Sequence, residues 1–318
     1  MDVFVTGGSG LTGPAVVAEL VAAGHAVTGL ARSDAAAARL ESLGVTPHRG
    51  SLDDLDTLRT GAEAADGVLH MAFGFDAAGP DAMIRRDRAA IETLGRVLEH
   101  SGKPFVSTSG TLVMPAGREG AEGDEPDPAG IAGFRIPGER ACLGFAGRGV
   151  RASVVRLAPT VHGPGDHGFI GMLVATARKT GVSAYVGDGG NRWPAVHRID
   201  AAGLFRMALE KAPAGSVLHG VAENGVTMRS IAETIARGLD LPAVSLGAEE
   251  AAAHFASPFM AAVYGVDAPA SGSFTRELLG WSPTRSTLLD DLEHGDYLAA
   301  PKATVAHGVS GVRGEASA

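Results

Sequence analysis

The chain has 318 residues, 45% of them hydrophobic, and a formal net charge of −9. That length suits one large α/β domain or two unequal ones, and the apolar content is enough to bury a sizeable core. The acidic balance, together with the lack of any dense Lys/Arg run, argues against nucleic acid and anionic membranes as partners.

Three features of the sequence indicate a cellular location. The single cysteine, Cys142, excludes a disulfide framework and fits a reducing compartment. No segment reaches the roughly 18 uninterrupted apolar residues of a membrane span. Asp2 follows Met1, and the apolar run after it is too short for a signal peptide. We therefore expect a cytoplasmic protein that acts on a small-molecule substrate.

The first half of the chain alternates predicted strands and helices. Short apolar runs predict strands, and amphipathic runs with a period near 3.6 predict helices. The strands are expected at 2–6, 26–31, 45–50, 66–72 and 104–109. The helices are expected at 12–24, 34–44, 53–61 and 81–101. This alternation predicts an α/β fold with a Rossmann-type doubly wound parallel sheet, covered by helices on both faces.

The second half has a less regular pattern. The acidic, Pro-rich stretch 118–128 predicts a solvated loop, after which a helix at 131–147 and a strand at 152–158 return to the sheet. Shorter elements follow beyond residue 160, which indicates a smaller C-terminal portion laid over the edge of the sheet. One of its helices is expected to begin at Thr227, which has the residue type of an N-cap.

The strongest motif is the glycine-rich stretch "FVTGGSGLTGPAVV" between the first strand and the first helix. Gly8, Gly10 and Gly13 satisfy G-x-G-x-x-G, and Gly7, Gly10 and Gly13 satisfy G-x-x-G-x-x-G. Glycines let the backbone turn tightly and approach a pyrophosphate, and the helix N-terminus supplies free N–H groups. Because the motif lies in a βαβ unit, it predicts a dinucleotide site rather than a turn without a ligand. The residues expected to hold the dinucleotide here are Thr6, Gly7, Gly8, Ser9, Gly10, Leu11, Thr12 and Gly13.

The end of the second strand, "GLARSD", indicates which nicotinamide cofactor binds. NAD sites usually place a carboxylate there for the ribose 2′-OH, but this position is Ala31. Arg32 and Ser33 follow, and a guanidinium beside a hydroxyl suits a 2′-phosphate. NADP(H) is therefore favoured over NAD(H). Two alternatives stay open: Arg32 as a solvated charge with Ser33 as a helix cap, and NAD bound through Asp34.

These patterns divide the chain into three parts. Residues 1–160 are expected to form an NAD(P)-binding Rossmann domain, to which strands and helices from 161–225 return. Residues 161–300 are expected to be mainly the substrate-binding portion. Residues 301–318 lack a core pattern and predict a disordered tail.

Several stretches together resemble the extended short-chain dehydrogenase/reductase superfamily, in its NAD(P)-dependent epimerase/dehydratase-like branch. They follow that family's order over roughly residues 1–300 and read "VTGGSGLTG", "GSLDD", "GVLHMA", "VSTSG", "RLAPTVHGPGD" and "VGDGGNRWPAVHRID". The resemblance implies an active site outside the carboxyl ends of the strands, as the rule for open α/β sheets requires. The helices at 81–101 and 131–147 resemble a pair through which relatives dimerise, but burial within one chain is equally compatible, so a monomer and a homodimer both stay open.

The resemblance assigns roles position by position. Leu52 and Asp53 would lie near the adenine, and Ser109 would be the catalytic serine at the end of the fifth strand. The residues implied to line the cofactor cleft or flank the nicotinamide are His70, Met71, Ala72, Pro159, Thr160 and Val161. The residues expected to face the substrate are Phe73, Thr111, His162, Asn191, Arg192, Trp193 and His197.

The chain departs from the family where a catalytic Tyr-x-x-x-Lys pair is expected. In the stretch "PAGIAGFRIPGERACLGFAGRG" the tyrosine position falls on Ile131 and the lysine position on Arg135. The three tyrosines of the chain lie elsewhere, at Tyr185, Tyr264 and Tyr297. This pattern resembles atypical members of the superfamily, which keep the cofactor loop and lose the pair.

The loss of the tyrosine restricts the chemistry that we expect. A positioned acid or base contributes about 10²–10⁴-fold, or roughly 3–5 kcal/mol of barrier, whereas orientation of the reactants contributes about 7–11 kcal/mol. Reduction of a ketone needs only a proton donor for the growing alkoxide, which water or a substrate phenol can supply. The sequence therefore predicts an NADPH-dependent ketoreductase, and the resemblance implies an aromatic or polyketide-type substrate from antibiotic biosynthesis. The alternatives are a non-catalytic NADP-binding regulator and a sugar-nucleotide epimerase or dehydratase.

Few polar side chains remain for this chemistry. Ser109 could donate a hydrogen bond to the carbonyl, with Thr111 as a weaker hydroxyl candidate. Arg135 could contact the ribose hydroxyls, but it cannot act as a proton donor. His162 could titrate near neutral pH. The stretch "HGPGDH" (162–167) has two histidines without a third spaced ligand, so no metal is predicted.

Overall fold

The computed structural model describes residues 1–74 and 79–299, so the tail predicted at 301–318 lies outside the described residues. The strands are, in chain order, β1 (Asp2–Thr6), β2 (Ala26–Ala31), β3 (Thr46–Arg49), β4 (Gly67–His70), β5 (Pro104–Gly110), β6 (Arg151–Leu157), β7 (Thr160–His162), β8 (Ser183–Val186), β9 (Arg192–His197), β10 (Ser216–Gly220), β11 (Glu223–Thr227) and β12 (Ala243–Leu246). The α-helices are α1 (Gly13–Ala22), α2 (Asp34–Glu41), α3 (Leu55–Glu63), α4 (Pro80–Val97), α5 (Ile136–Gly144), α6 (Phe169–Thr180), α7 (Arg198–Lys211), α8 (Met228–Leu239), α9 (Ala248–His254), α10 (Pro258–Gly265), α11 (Ser273–Leu279) and α12 (Leu288–His294).

A seven-stranded parallel sheet forms the centre of the fold, in the order β10-β6-β5-β4-β1-β2-β3. Val3 of β1 aligns with Val27 of β2 on one side and with Gly67 of β4 on the other. The chain runs outward from β1 to β3 and then continues from β4 in the opposite direction, so a crevice opens at the carboxyl ends of β1 and β4. The predicted doubly wound Rossmann-type sheet is confirmed.

Apolar side chains alternate across this sheet and bury both of its faces. Val3 and Val5 of β1 belong to a cluster with Leu20 of α1 and Phe205 of α7. Phe4, between them, belongs to the cluster on the opposite face, formed with α3, α4 and α5. These two clusters hold the helices against the two faces of the sheet.

A second group of elements lies outside the central sheet. It contains a three-stranded sheet in the order β11-β9-β7, a parallel pair of β12 and β8, and a core around the fully buried Trp193. Between the strands of this second group the chain returns to the central part of the fold. There α7 packs against α1, and β10 pairs with β6.

The predicted helix at 131–147 is shorter in the structure. A 3₁₀ turn covers Gly133–Arg135, α5 runs over Ile136–Gly144, and a second 3₁₀ turn follows at Ala146–Arg148. Pro137 explains the late start, because a proline is tolerated in the first turn of a helix and not in its interior. The helix predicted to begin at Thr227 is confirmed, since the Thr227 hydroxyl accepts a 3.2 Å hydrogen bond from the amide of Ser230 at the start of α8.

The prediction of a solvated loop at 118–128 is wrong for Glu122, which is 6% exposed. Its carboxylate accepts hydrogen bonds from the Thr275 amide at 2.9 Å and from the Thr275 hydroxyl at 2.7 Å. Thr275 lies in the first turn of α11, where a carboxylate is stabilised by free N–H groups and the helix dipole. The loop is therefore attached to the C-terminal part of the chain.

The longest helix of the described residues is α4, with 18 residues. It carries several charged side chains, among them Asp87, Arg88 and Glu92. Within residues 1–74 and 79–299, no helix combines the length and the apolar character that crossing a bilayer requires.

Candidate cofactor cleft and active site

The glycine-rich loop between β1 and α1 has no room for a side chain at two positions. Gly7 has a φ of +79°, and a Cβ there would lie 2.7 Å from the amide nitrogen of Ala72. A Cβ on Gly13 would lie 2.2 Å from the carbonyl oxygen of Gly7. The loop therefore turns tightly on itself and packs directly against the end of β4.

The N-terminus of α1 is open to a ligand. Thr12 occupies the N-cap position without a side-chain cap, and the first turn contains no acidic residue. Gly10 and Leu11 line the adjacent cleft together with Thr12. Uncapped N–H groups at the positive end of a helix dipole bind anions. The loop thus fits the pyrophosphate of a dinucleotide.

The cleft beside this loop has a volume of about 390 Å³. The structure brings many predicted cofactor and substrate residues to its wall, namely Gly7, Ser9, Gly10, Leu11, Thr12, Gly13, Arg32, Ser33, Leu52, Asp53, Met71, Ala72 and Phe73. Sequence reasoning missed other lining residues, among them Leu30, Ser51, Arg86, Thr108, Leu157 and Phe205. Thr108 is a neighbour of Ser109 in "VSTSG" and could have been found there, whereas Phe205 on α7 carries no local signal.

Three predicted cofactor residues lie behind the cleft wall. Thr6 and His70 are at most 1% exposed, and their side chains are hydrogen-bonded to each other at 2.8 Å. Gly8 faces the core, because a Cβ there would lie 3.1 Å from the side chains of Leu40 and Val17. Their predicted contacts with the cofactor remain predictions.

The end of β2 presents a cation to the cleft. Arg32 lines the cleft and forms no ion pair within residues 1–74 and 79–299. The Ser33 hydroxyl accepts a 3.2 Å hydrogen bond from Ala36 and caps α2. The exposed carboxylate of Asp34 forms an ion pair with Arg49.

Three hydroxyl groups at the carboxyl end of β5 have no hydrogen-bond partner among the described residues. They belong to Thr108, Ser109 and Thr111, and the oxygen of each is buried. A buried polar group without a partner costs about 1–3 kcal/mol. Of the three residues, Thr108 lines the cleft, whereas the predicted site residues Ser109 and Thr111 lie outside its lining and are 6% and 1% exposed.

Arg135, at the predicted lysine position, reaches the end of β5. Its Nη2 donates a 2.5 Å hydrogen bond to the carbonyl oxygen of Thr108, and its guanidinium carbon lies 3.4 Å from the centroid of the Phe73 ring. Burial lowers the pKa of Arg135, while the carboxylates of Asp87 and Glu139 oppose that shift. The side chain remains a cation and cannot supply a proton.

Ile131, at the predicted tyrosine position, lies in an apolar environment. It packs with Leu112 and Phe134 against the buried cluster of Val113, Met114, Ala132 and Ile136. Its side chain has no group that could donate a proton.

The segment after β6 leads from the cleft to the second group of elements. Leu157, at the end of β6, lines the cleft, and Pro159 and Thr160 follow it. The buried Thr160 hydroxyl donates a hydrogen bond to the carbonyl oxygen of Pro194, and Val161 is buried in the core. The contact of Pro159, Thr160 and Val161 with the nicotinamide remains a prediction.

His162 and His197 form a buried pair outside the cleft lining. Nδ1 of His162 lies 2.6 Å from the carboxylate of Asp291, and the two imidazole rings cross at 81° with centroids 5.4 Å apart. Burial lowers the pKa of both histidines, and the nearby Asp291 carboxylate opposes that shift. In the part of the chain that the structure describes, no group of three or more His, Cys, Asp or Glu residues is placed to hold a metal ion.

The other predicted substrate residues contact the segment 264–267. The Asn191 side-chain amide donates to the carbonyl oxygens of Tyr264 and Val266 at 2.9 and 3.2 Å. Arg192 binds the Asp267 carboxylate through Nε at 3.1 Å and Nη2 at 2.9 Å. The buried Trp193 indole donates to Val266 at 3.1 Å. Their predicted role toward the substrate remains a prediction.

A parallel Rossmann sheet with a glycine-rich loop at its crevice is the architecture of a dinucleotide-binding domain. Residues 3–219 match the model of the NAD dependent epimerase/dehydratase family. The chain belongs to this family, as the resemblance of its motifs predicted.

Three comparisons describe its relatives. The chain is 47% identical over 298 residues to "Uncharacterized protein C2A9.02" of Schizosaccharomyces pombe, covering 93% of this chain and 100% of that one. It is 29% identical over 266 residues to 4-hydroxy-2-methyl-3-oxo-4-farnesyl-3,4-dihydroquinoline-1-oxide ketoreductase of Stigmatella aurantiaca, covering 80% of this chain and 79% of the relative. The solved structure of DesIV, a dTDP-glucose 4,6-dehydratase from Streptomyces venezuelae with NAD and TYD bound, has a TM-score of 0.77 at 18% identity and covers 94% of this chain and 96% of its own. That last similarity concerns the fold.

Proposed function

We propose that the chain is an NADPH-dependent ketoreductase that works without the usual tyrosine proton donor. The observation that carries this proposal is the group of buried, unpartnered hydroxyls at the end of β5, in a chain whose predicted tyrosine position holds Ile131. The ketoreductase of Stigmatella aurantiaca supports the reaction class, because it is a family relative that spans most of both chains.

Each part of the site has one task in this reaction. The reduced nicotinamide, when bound, supplies a hydride to the carbonyl carbon of the substrate. The Ser109 hydroxyl donates a hydrogen bond to the carbonyl oxygen, and Thr111 is a second donor. The half-buried Arg135 cation stabilises the negative charge that develops there. The proton comes from water or from a hydroxyl of the substrate.

The walls near Arg135 support an aromatic or polyketide-type substrate. The rings of Phe73 and Phe134 are stacked with centroids 6.1 Å apart, and the Arg135 guanidinium covers a face of Phe73. Of these residues Phe73 lines the cleft, so its ring is available to contact a planar ketone. An antibiotic-like secondary metabolite that is modified during its biosynthesis would contain such a ketone.

The test is NADPH consumption with a panel of quinones and aryl ketones. Turnover of one of them, with the alcohol as product, would support the proposal. Tight NADPH binding without turnover of any ketone would instead favour a non-catalytic regulator.

Ser109→Ala is expected to lower kcat for a ketone by about 10- to 100-fold, since one hydrogen bond to the developing oxyanion is lost. The NADPH Kd should not change. Ser153→Ala is the matched control, because its hydroxyl is also buried and unpartnered but lies in the middle of β6. Equal kcat values for the two variants would exclude Ser109 from the reaction.

Arg32→Ala is expected to weaken NADPH binding by about 10- to 100-fold, the contribution of one or two charge-assisted hydrogen bonds to a phosphate. NADH binding should stay within about threefold, because NADH lacks the 2′-phosphate. Arg39→Ala removes an exposed cation of the adjoining helix α2 and serves as the control. A loss of the same size for both nucleotides would overturn the preference for NADPH.

A second candidate is a sugar-nucleotide epimerase or dehydratase. The observation that favours it is the TM-score of 0.77 with the DesIV dehydratase. Those reactions need ordered proton transfers, for which the apolar Ile131 and the cationic Arg135 are poorly suited. Conversion of a UDP- or dTDP-sugar without net NADPH consumption would establish this candidate in place of the ketoreductase.

A further inference from the structure

The loop between β7 and α6 (163–168, the β7–α6 loop) reaches the edge of the cofactor cleft. Gly163 has a φ of +131° and Gly165 a φ of +72°, so the loop turns in a way that other residues rarely adopt. At its far end, a Cβ on Gly168 would lie 2.9 Å from Cδ2 of Leu11, which lines the cleft. The position of the β7–α6 loop therefore limits where the Leu11 side chain can lie.

The Tyr297 hydroxyl joins the two halves of this loop. It accepts a 3.1 Å hydrogen bond from the amide of Gly163 and donates a 2.8 Å hydrogen bond to Oδ2 of Asp166. The other carboxylate oxygen of Asp166 accepts from the amide of Gly168 at 2.7 Å. Tyr297 is 7% exposed, and burial raises the pKa of its hydroxyl, so the proton that it donates is retained. One hydroxyl is thus connected, through Asp166, to the residue that contacts Leu11.

Two carboxylates close to Tyr297 add to this attachment. Asp291 of α12 lies 2.6 Å from Nδ1 of His162, the last residue of β7. The Asp296 carboxylate accepts a 3.0 Å hydrogen bond from the amide of Gly165. The loop is therefore held by residues that come about 130 positions later in the chain.

The C-terminal segment that supplies these partners is itself fixed to two helices. The Arg178 side chain, on α6, donates to the carbonyl oxygens of Tyr297 at 3.1 Å and of Ala299 at 2.7 Å. A Cβ on Gly238 of α8 would lie 2.0 Å from Cδ1 of Leu298, so the segment is in direct contact with that helix. The segment thus offers the loop a fixed set of hydrogen-bond partners.

We propose that Tyr297 and Asp166 are positioning residues through which the C-terminal segment holds the β7–α6 loop against Leu11 and so slows the release of the nucleotide from the cleft. The inference rests on the proposed function in one respect, that the cleft binds NADPH. Without these hydrogen bonds the glycines of the loop regain conformational freedom, because glycine loses more of it on ordering than any other residue. Leu11 then loses the neighbour that limits its position.

Tyr297→Phe keeps the ring and removes the hydroxyl. We expect the rate constant for NADPH dissociation, measured by stopped-flow fluorescence with excess NADP⁺ as the chase, to rise about 10-fold, the effect of one or two buried hydrogen bonds. The Kd should rise by the same factor, because the approach of the nucleotide to the open cleft does not involve this hydroxyl.

Tyr264→Phe is the matched control. Tyr264 is 3% exposed, and its hydroxyl donates to the carbonyl oxygen of Phe169 at 3.1 Å, in α6 rather than in the loop. This variant should lower Tm as much as Tyr297→Phe does while leaving NADPH dissociation unchanged. A similar acceleration in both variants would overturn the positioning role, because general destabilisation would then explain it.

A double-mutant cycle with Asp166→Ala tests whether the two residues act together. If Asp166 transmits the effect of Tyr297, the double variant should release NADPH no faster than Asp166→Ala alone, since neighbours that share one interaction are not additive. Multiplied effects of the two substitutions would contradict the proposal. Asp166→Ala by itself also tests the loop in case Tyr297→Phe fails to fold.

A second measurement needs no nucleotide. Amide hydrogen exchange of the peptide that covers 163–168 should be faster in Tyr297→Phe than in the parent, because the Gly163 amide loses its acceptor. The exchange should be unchanged in Tyr264→Phe. Equal exchange in Tyr297→Phe and the parent would show that the C-terminal segment does not hold the loop. If neither NADPH nor NADH binds, the proposed function fails, and the exchange result still decides whether this attachment exists.

Discussion

Replacing Gly13 with alanine is expected to weaken NADPH binding by at least about 100-fold. The new Cβ would lie 2.2 Å from the carbonyl oxygen of Gly7 and 2.5 Å from the carbonyl carbon of Gly8. Both are backbone atoms of the loop itself, so the loop must move to relieve the overlap. Its N–H groups then lose their alignment with the pyrophosphate, and each charge-assisted hydrogen bond contributes about 1.5–3 kcal/mol. The measurement is the NADPH Kd by fluorescence titration.

Gly203→Ala is the control for this substitution. Gly203 lies in α7, and a Cβ there would have no neighbour within 4 Å. Alanine favours a helix over glycine by about 1 kcal/mol, so Tm should rise slightly and the NADPH Kd should stay the same. Wild-type affinity in Gly13→Ala would show that the nucleotide binds somewhere other than this loop.

Glu139→Gln is expected to lower the free energy of unfolding by about 3–5 kcal/mol. Glu139 and Arg156 form an ion pair that is 4% and 2% exposed, with Nε of Arg156 3.2 and 3.1 Å from the two carboxylate oxygens. The glutamine keeps the shape of the side chain but leaves the Arg156 cation buried without its counter-charge. Urea unfolding at pH 7 measures the loss.

Glu92→Gln provides the comparison on the surface of α4. Glu92 pairs with Arg88 at 2.8 Å and with Arg96 at 3.1 Å, but all three side chains are in contact with solvent. Exposed pairs contribute about 0–1 kcal/mol, so this variant should unfold at nearly the same urea concentration as the parent. Equal losses for Glu139→Gln and Glu92→Gln would mean that burial does not govern the Arg156 pair.

The central sheet was predictable because each of its parts leaves a local trace. The apolar runs of β1, β2 and β4 and the glycines of the first loop define a βαβ unit without reference to distant residues. The limits of α5 were missed although Pro137 marks them, because the apolar pattern continues on both sides of that proline. Local pattern thus predicts the presence of an element better than its ends.

The site was predictable only where its residues follow a motif. Arg32 and Ser33 come directly after a strand, and both residues line the cleft. The partners of the buried polar groups are distant along the chain: Asp87 is 17 positions from His70, Asp291 is 129 from His162, and Thr275 is 153 from Glu122. Such pairs have no periodicity, so a single sequence does not reveal them.

The packing around Ile131 has a consequence for engineering a Tyr-x-x-x-Lys pair at its predicted positions. Apolar neighbours surround Ile131, and Arg135 is committed to the Thr108 carbonyl and the Phe73 ring. A tyrosine introduced at 131 alone would bring a phenol into that cluster without a lysine beside it, and would disturb the packing on Ile136. Installing the pair therefore requires changes to the surrounding side chains as well as to positions 131 and 135.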